Sequence, residues 1–155
     1  MPWSSYQAQR LAWEETVLER ELPQFAFVNR NTADKTYVTG WECSPDNIHS
    51  YQFVLIIPLR YPDQMPALYV TSPYRLFCRD GTLLPACSHE FHTRQSSPLE
   101  GHTQICHSNE SEWDPSMSCL RALFRGIIWT HCYEQHLRTG RTINQHYEEI
   151  KARLA

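Results

Sequence analysis

The chain lacks the features that mark several common classes of protein. It has no run of Lys and Arg, and 14 basic against 17 acidic side chains give a formal net charge of −3. This balance argues against a nucleic-acid surface or a polybasic membrane surface. The longest apolar run, FVLII at 53–57, is far too short to span a bilayer. Among only five glycines there is no phosphate-binding glycine loop, so we do not expect the chain to activate a carboxyl group with ATP.

The N-terminal sequence, MPWSSYQAQRLAWEE, lacks the basic-then-apolar order of a signal peptide, so we expect a cytoplasmic protein. Its 155 residues, 41% hydrophobic and 20% charged, are typical of one folded domain, here 1–155. Six cysteines occur without a CxxC pair. In a cytoplasmic protein we expect such cysteines to be free, catalytic or metal-bound rather than paired in disulfides.

Periodicity predicts helices at both ends of the chain. Ser4 and Gln7 form a capping box that opens the first helix, and Pro23 ends it. Asp114-Pro115 is a favourable start for a second helix, Gly140 is expected just past its end, and a short amphipathic helix closes the chain. The apolar positions expected to face the core are Leu11, Leu18 and Leu22 with Tyr6, Trp13 and Val17 in the first helix, Met117, Leu120, Phe124, Ile127, Ile128 and His131 in the second, and Ile143, Tyr147, Ile150 and Leu154 in the third.

Between the helices the sequence predicts four strands, at 25–29, 36–41, 51–57 and 67–71. Both faces of the third are apolar, so we expect it to be central and covered on both sides. From 73 to 115 periodicity vanishes, and this segment is expected to be a long irregular active-site loop. The predicted fold is therefore α+β: a four-stranded antiparallel meander with one N-terminal and two C-terminal helices.

This order of elements resembles the ubiquitin-conjugating (UBC) fold. The likeness covers about 1–137 and is most specific at YPDQMP, 61–66, and between Ile105 and Pro115. In that family a long segment carries a Gly-x-Ile-Cys catalytic site, and a Trp-Ser-Pro follows. Here Ile105-Cys106 is followed by Trp113-Asp114-Pro115. The resemblance implies that Cys106 is the cysteine that carries the acyl group.

The chain departs from the eukaryotic pattern in two places. Ser97-Pro98-Leu99 stands where the family has His-Pro-Asn, and Gly101 lies five residues before Cys106 rather than three. The sequence after Trp129 is more similar to that of the short bacterial conjugating enzymes of antiphage (CBASS) operons, which lie beside a cyclic-oligonucleotide synthase. Those enzymes attach the C-terminus of the synthase to other molecules.

The resemblance implies a transferase that holds a partner's C-terminus on Cys106 as a thioester and passes it to an acceptor lysine or another amine. The partner would be the synthase, a CD-NTase-like nucleotidyltransferase, or a ubiquitin-like protein. Such chemistry needs an exposed thiol, and the Gly/His/Ser/Asn surroundings of Cys106 favour exposure. A separate activating enzyme, or a partner that arrives activated, is also implied. The alternative for Cys106 is a buried structural thiol.

Three neighbours in sequence are candidate auxiliary residues. His102 and His107 could tune the pKa of the thiol or shuttle a proton, or they could simply be solvent-exposed loop histidines. Asn109 or a backbone N–H could stabilise the oxyanion in place of the missing asparagine. No cofactor is expected for this chemistry.

The same residues also allow three other interpretations of the function. Cys87, His89 and His92 have zinc-ligand side chains at tight spacing, and Cys78, His102, Cys106 and His107 could complete a tetrahedral site, although the spacing matches no standard finger. Zinc bound by Cys106 would exclude the transferase, whereas a site of Cys78, Cys87, His89 and His92 would be compatible with it. An inactive UBC-fold binding module is a second alternative, which the missing His-Pro-Asn favours. A cysteine hydrolase is the third, and it would require an Asp or Asn that orients a histidine beside Cys106.

Overall fold

The protein is an α+β fold, as expected from the sequence, with an antiparallel sheet, an N-terminal helix and two C-terminal helices. The computed structural model describes residues 1–95 and 99–154. In these ranges no helix is long and apolar enough to cross a membrane. The elements are α1 (Ser5–Glu21), β1 (Phe25–Val28), β2 (Tyr37–Cys43), β3 (Ser50–Ile56), β4 (Ala67–Ser72), β5 (Thr93–Arg94), β6 (Thr103–Ile105), α2 (Cys119–Thr139) and α3 (Ile143–Leu154).

The sheet has six strands in the order β1-β2-β3-β4-β6-β5. Strands β1 to β4 form the expected meander, but the sheet has two more strands than the sequence predicted. β5 and β6 lie within 73–115, which was expected to be irregular, and β6 pairs with β4 from Leu68↔Ile105 to Val70↔Thr103. Strands of two and three residues are too short to show an alternating pattern, so the sequence carried no signal for them.

Only one face of β3 is fully covered. Tyr51, Phe53 and Leu55 are buried, whereas Val54 and Ile56 on the opposite face are partly exposed. The prediction of a strand covered on both sides was therefore wrong, although β3 is central as expected. The sheet is antiparallel, and such sheets commonly pack one face on the core and leave the other toward water.

The first helix begins as predicted. The Ser4 hydroxyl accepts a hydrogen bond from the Gln7 amide at 3.2 Å, and the Gln7 side chain accepts one from the Ser4 amide at 3.2 Å. The expected stripe of Leu11, Leu18 and Leu22 is buried. The adjoining stripe is not, since Tyr6 and Trp13 are 63% and 57% exposed and Val17 is half-buried.

The second helix begins later than predicted. Asp114 does not cap it, because its carboxylate accepts from the Ser116 amide (2.8 Å) and hydroxyl in a local turn. The cap is Ser118, whose hydroxyl accepts from the Arg121 amide at 3.1 Å. Pro115 is exposed, and the predicted end at Gly140, in the left-handed conformation, is confirmed.

The face that α2 turns to the core also differs from the predicted apolar stripe. Phe124 is 43% exposed, and the other five positions of that stripe are only partly buried. The buried face combines the large Trp129 with small residues, including Ala122 and Gly126. A Cβ at Gly126 would lie 2.6 Å from Leu68 Cδ2, so glycine lets the helix approach β4 closely. Ala122 and Gly126 therefore interrupt the hydrophobic pattern of the buried face.

The third helix packs through its first half. Ile143 and Tyr147 are buried as predicted, Ile150 is partly buried, and Leu154 is 82% exposed. Cys119 and Cys132 are buried in α2 as expected. Trp113 is buried, and its indole N–H donates to the Pro62 carbonyl at 2.8 Å.

A buried carboxylate joins α1 to the start of α2. Glu14 is 2% exposed, and it accepts hydrogen bonds from the Tyr61 hydroxyl, the Arg10 Nε (3.1 Å) and the Cys119 amide (2.6 Å). Arg10 also donates to the carbonyl of Met117 at 2.6 Å. One acidic side chain therefore connects the first helix, the turn after β3 and the first amide of the second helix.

Glu14→Ala is expected to lower the free energy of unfolding by about 3 kcal/mol, because it leaves the buried Tyr61 hydroxyl and Cys119 amide without their acceptor. Urea unfolding followed by circular dichroism measures the loss. Glu15→Ala is the matched control, since Glu15 contacts Arg30 at 3.4 Å on the surface, and we expect it to cost less than about 1 kcal/mol. Equal losses for the two variants would contradict the role of Glu14.

Candidate active site

Side chains of α2 hold the segment that leads into β5. The indole N–H of Trp129 donates to the Phe91 carbonyl at 2.8 Å, and the Tyr133 hydroxyl donates to the Phe77 carbonyl at 2.7 Å. Within the segment, the Thr93 hydroxyl donates to the Pro85 carbonyl at 2.6 Å. The backbone around the candidate site is thus positioned by hydrogen bonds from the protein core.

Cys106 lies directly after β6, at a cleft of about 670 Å³. We call this the Cys106 cleft. The thiol is half-buried, its Sγ donates to the Ser108 carbonyl at 3.5 Å, and the Cys106 amide donates to the His92 carbonyl at 2.9 Å. Among the residues that line the cleft are Cys87, His89, His92, Arg94, Asn109, Arg125 and Lys151.

The other cysteines are less suited to nucleophilic chemistry or lie elsewhere. Burial raises the pKa of Cys132 to about 12 and raises the pKa of Cys119 well above its ordinary value. Burial also raises the pKa of Cys78. Cys43 and Cys87 are exposed, and of these two Cys87 shares the cleft with Cys106. Cys106 and Cys87 are therefore the thiols open to a substrate in this cleft.

His92 is held in the same cleft by α3. Its Nε2 is 2.8 Å from Asn144 Oδ1, and its ring packs on the Tyr147 ring at a centroid distance of 4.5 Å. The backbone N–H of Asn144 donates to the Glu90 carbonyl at 2.8 Å, and this hydrogen bond connects the start of α3 to the segment that carries His92. His92 adopts a left-handed backbone with φ +49°, so the surrounding contacts maintain a conformation that few residues other than glycine adopt.

His102 does not share the cleft with Cys106. It precedes β6, whereas Cys106 follows it, and the two residues are thus separated by the whole strand. The His102 ring packs edge-on against Tyr74 at 4.7 Å, beside a separate pocket that includes Leu76 and Leu84. This placement gives His102 no direct contact with the thiol.

His107 is neighbour to Cys106 in sequence but turns inward. It is 2% exposed, its Nε2 donates to the Pro66 carbonyl at 2.8 Å, and its ring meets Trp113 edge-on at 5.9 Å. Its Nδ1 is buried with no hydrogen-bond partner among the described residues. Burial lowers the pKa of His107 to about 4, so the ring is neutral near pH 7 and packs as a structural residue.

Asn109 is exposed at the edge of the Cys106 cleft. Its carbonyl accepts from the Glu112 amide at 3.0 Å and the Trp113 amide at 3.1 Å, which fixes the backbone there. Arg125 and Lys151 line the same cleft. The edge of the cleft therefore offers an amide and two cationic groups to a carbonyl oxygen that gains negative charge during a reaction.

The zinc set proposed from the sequence is not assembled. Cys78 lies beside His136 at another pocket, whereas Cys87, His89 and His92 line the Cys106 cleft. Across the described ranges no three His, Cys, Asp or Glu side chains lie close enough together to hold a metal ion. Proximity in sequence was misleading, because Cys78 lies within the hairpin closed by the Phe77↔Leu83 bridge, whereas Cys87 follows that hairpin and lies at a different cleft.

The structure adds two residues of α3 that sequence reasoning missed as site residues. Tyr147 was predicted only as a core position, and Asn144 was not singled out. Neither lies near Cys106 in sequence. The contact between α3 and the segment before β5 therefore leaves no pattern in the sequence around Cys106. Ser97 and Pro98, which replace the first two positions of His-Pro-Asn, lie outside the described residues.

Comparisons of this chain with protein-family models, curated proteins and solved structures find no match. A proposal about its function therefore depends on the geometry of the Cys106 cleft and on the resemblance of short motifs.

The buried His107 is expected to make stability depend on pH. Because its folded pKa is lowered from 6.5 to about 4, the unfolded chain takes up a proton that the folded chain does not. The contribution is fully present above pH 6.5 and is lost as the pH falls toward 4, by about 3 kcal/mol in all. Urea unfolding between pH 7.5 and 4 measures this loss.

The matched variants are His107→Gln, which removes the titrating ring, and His89→Gln, which removes an exposed one. We expect His107→Gln to flatten the pH dependence relative to wild type and His89→Gln to leave it unchanged. The same pH dependence in wild type and His107→Gln would show that the buried ring does not resist protonation.

Proposed function

We propose that this chain is a thioester-forming acyl transferase related to the ubiquitin-conjugating enzymes. Cys106 would carry the C-terminal acyl group of a partner and pass it to an acceptor lysine or another amine. By resemblance to the short bacterial enzymes, the partner is a cyclic-oligonucleotide synthase in antiphage defence, or else a ubiquitin-like protein. The observation that carries the proposal is the half-buried Cys106 thiol at an open cleft, directly after an inner-sheet strand and before Trp113.

The features of the cleft are consistent with acyl transfer. A thiol attack on a carbonyl produces a negatively charged oxygen, which needs hydrogen-bond donors placed in advance. Asn109 has an amide group at the edge of the cleft, and Arg125 has a guanidinium group there. The cleft volume of about 670 Å³ is large enough for an extended C-terminal segment and an approaching amine.

The chain departs from the family pattern where an asparagine is expected, so we assign the oxyanion role to Asn109 as a proposal. Gly101 and Cys106 are separated by His102 and the three residues of β6. The main alternative is an inactive UBC-fold binding module, in which Cys106 would bind no acyl group and the cleft would serve a non-covalent partner.

Cys106→Ala is expected to abolish a covalent adduct that wild type forms when it is co-expressed with the proteins of its genomic neighbours. Intact mass without reducing agent detects the adduct and identifies the partner, and added thiol should remove it because a thioester exchanges with thiols. We expect complete loss in Cys106→Ala.

Cys87→Ala is the matched control, because Cys87 is exposed in the same cleft, and it should keep the adduct. An adduct that persists in Cys106→Ala, or that disappears only in Cys87→Ala, would contradict the assignment of the nucleophile. A partner that copurifies without any adduct would support the binding module instead.

A further inference from the structure

The outer face of the sheet has no charged side chain from β1 to the start of β4. Alternation along these strands places eleven partly or fully exposed side chains on this face. We call this surface the open face, and its residues are Ala26, Val28, Tyr37, Thr39, Trp41, Cys43, Ser50, Gln52, Val54, Ile56 and Ala67. Protein surfaces exposed to water usually carry about 25–35% charged residues. A neutral surface of this size therefore requires an explanation.

Strand pairing joins the residues of the open face into continuous rows. Tyr37 lies between Val28 and Ile56 in one row, and Thr39 is paired with Val54 in the next. Residues directly opposite each other in an antiparallel sheet have Cβ atoms about 4.5–5.5 Å apart. These side chains therefore form one continuous, largely apolar surface, which is the kind of surface that marks a protein–protein interaction site.

Trp41 is the largest side chain of the open face. It is paired with Gln52 and is 50% exposed. Tryptophan is among the residues that contribute most to binding energy at protein interfaces, because it buries a large area in one pocket. In this chain half of that area remains in water, so Trp41 is the residue through which a docked partner would gain most.

The absence of charge makes the open face compatible with a second copy of itself. In a two-fold dimer one patch meets the same patch of its partner, so a charged side chain near the axis would face a like charge. The open face avoids this repulsion, and its burial leaves no charged group without a partner. An acidic or basic protein, by contrast, would find no opposite charge on this surface.

The dimensions of the open face indicate how strong such a dimer can be. Four strands about 4.8 Å apart, with about six residues each at 3.4 Å, give an outline of roughly 19 by 20 Å. Two copies would then bury on the order of 1,000 Å² of accessible surface, which is near the lower limit for specific interfaces. Because interfaces of this size are typical of reversible association, we expect a dissociation constant on the order of 10 μM.

We propose that this chain forms a two-fold symmetric dimer through its open face, with the two sheets packed face to face and Trp41 and Val54 in the buried centre. Sheets that pack in this way lie about 10 Å apart, with interdigitated side chains. No residue of the open face lines the Cys106 cleft. The dimer is therefore independent of the proposed acyl transfer, and either proposal can fail without the other.

The first test compares two half-exposed tryptophans. Sedimentation equilibrium of the whole protein from about 1 to about 200 μM should show a rise in mass from one chain to two in wild type. Trp41→Ala is expected to raise the dissociation constant at least about tenfold, because it removes the anchor of the interface. Trp13→Ala is the matched control, since Trp13 is 57% exposed on α1, and it should dimerise as wild type does.

The second test adds a charge to the open face. Val54→Glu places a carboxylate near the centre of the face, where a dimer would bring two such groups together, and we expect this variant to remain monomeric. Ala12→Glu adds the same charge at an exposed position of α1 and should leave dimerisation unchanged. Circular dichroism and the thermal midpoint establish that each variant is folded. Trp41→Ala still tests the interface if Val54→Glu does not fold.

Three results would overturn the proposal. Wild type that remains monomeric over the whole concentration range would show that the open face does not bind a second copy. A dimer that persists unchanged in Trp41→Ala would place the interface elsewhere on the chain. A monomeric wild type that binds one of the proteins of its genomic neighbours, and loses this binding in Trp41→Ala but not in Trp13→Ala, would assign the open face to that protein instead.

Discussion

The buried carboxylate of Glu14 is the interaction on which the placement of the other elements depends. It accepts from Tyr61, which follows β3, and from the first amide of α2 at Cys119. Because a buried carboxylate is costly unless it is paired and hydrogen-bonded, these elements must meet at this point. The meeting point sets where α2 starts, and α2 in turn supplies the Trp129 indole that holds the Phe91 carbonyl beside the site.

The candidate site is then assembled from parts that are far apart in sequence. β6 ends at Cys106, the segment before β5 brings His92 opposite to it, and α3 contributes Asn144 and Tyr147. Each of these parts is held by hydrogen bonds to its neighbours. These contacts hold the Cys106 backbone, the His92 imidazole and the Asn144 side-chain amide in place. The proposed acyl transfer would benefit from groups that are positioned in advance.

The first helix, the meander strands and the end of α2 could be predicted because the sequence patterns that mark them are local. The capping box at Ser4, the strands of the meander and the glycine after α2 depend on neighbouring residues. The core face of α2 was assigned to the wrong stripe, because Gly126 packs against Leu68 where a hydrophobic side chain would be expected, and a missing side chain leaves no hydrophobic signal at that position. The strands within 73–115 were missed because each has only two or three residues. Pairing with β4 and contacts from α2 stabilise them, and neither leaves a pattern in the local sequence.

The sequence by itself determined the α+β order of elements and singled out Cys106 through the residues around it. Only the tertiary structure decided which histidines line the same cleft as that cysteine. His102 and His107 are close to Cys106 along the chain, yet one lies beyond β6 and the other is buried against Pro66. His92 reaches the cleft through strand pairing and helix packing. Contacts of this kind join residues distant in sequence, and no periodicity or spacing within either segment encodes them.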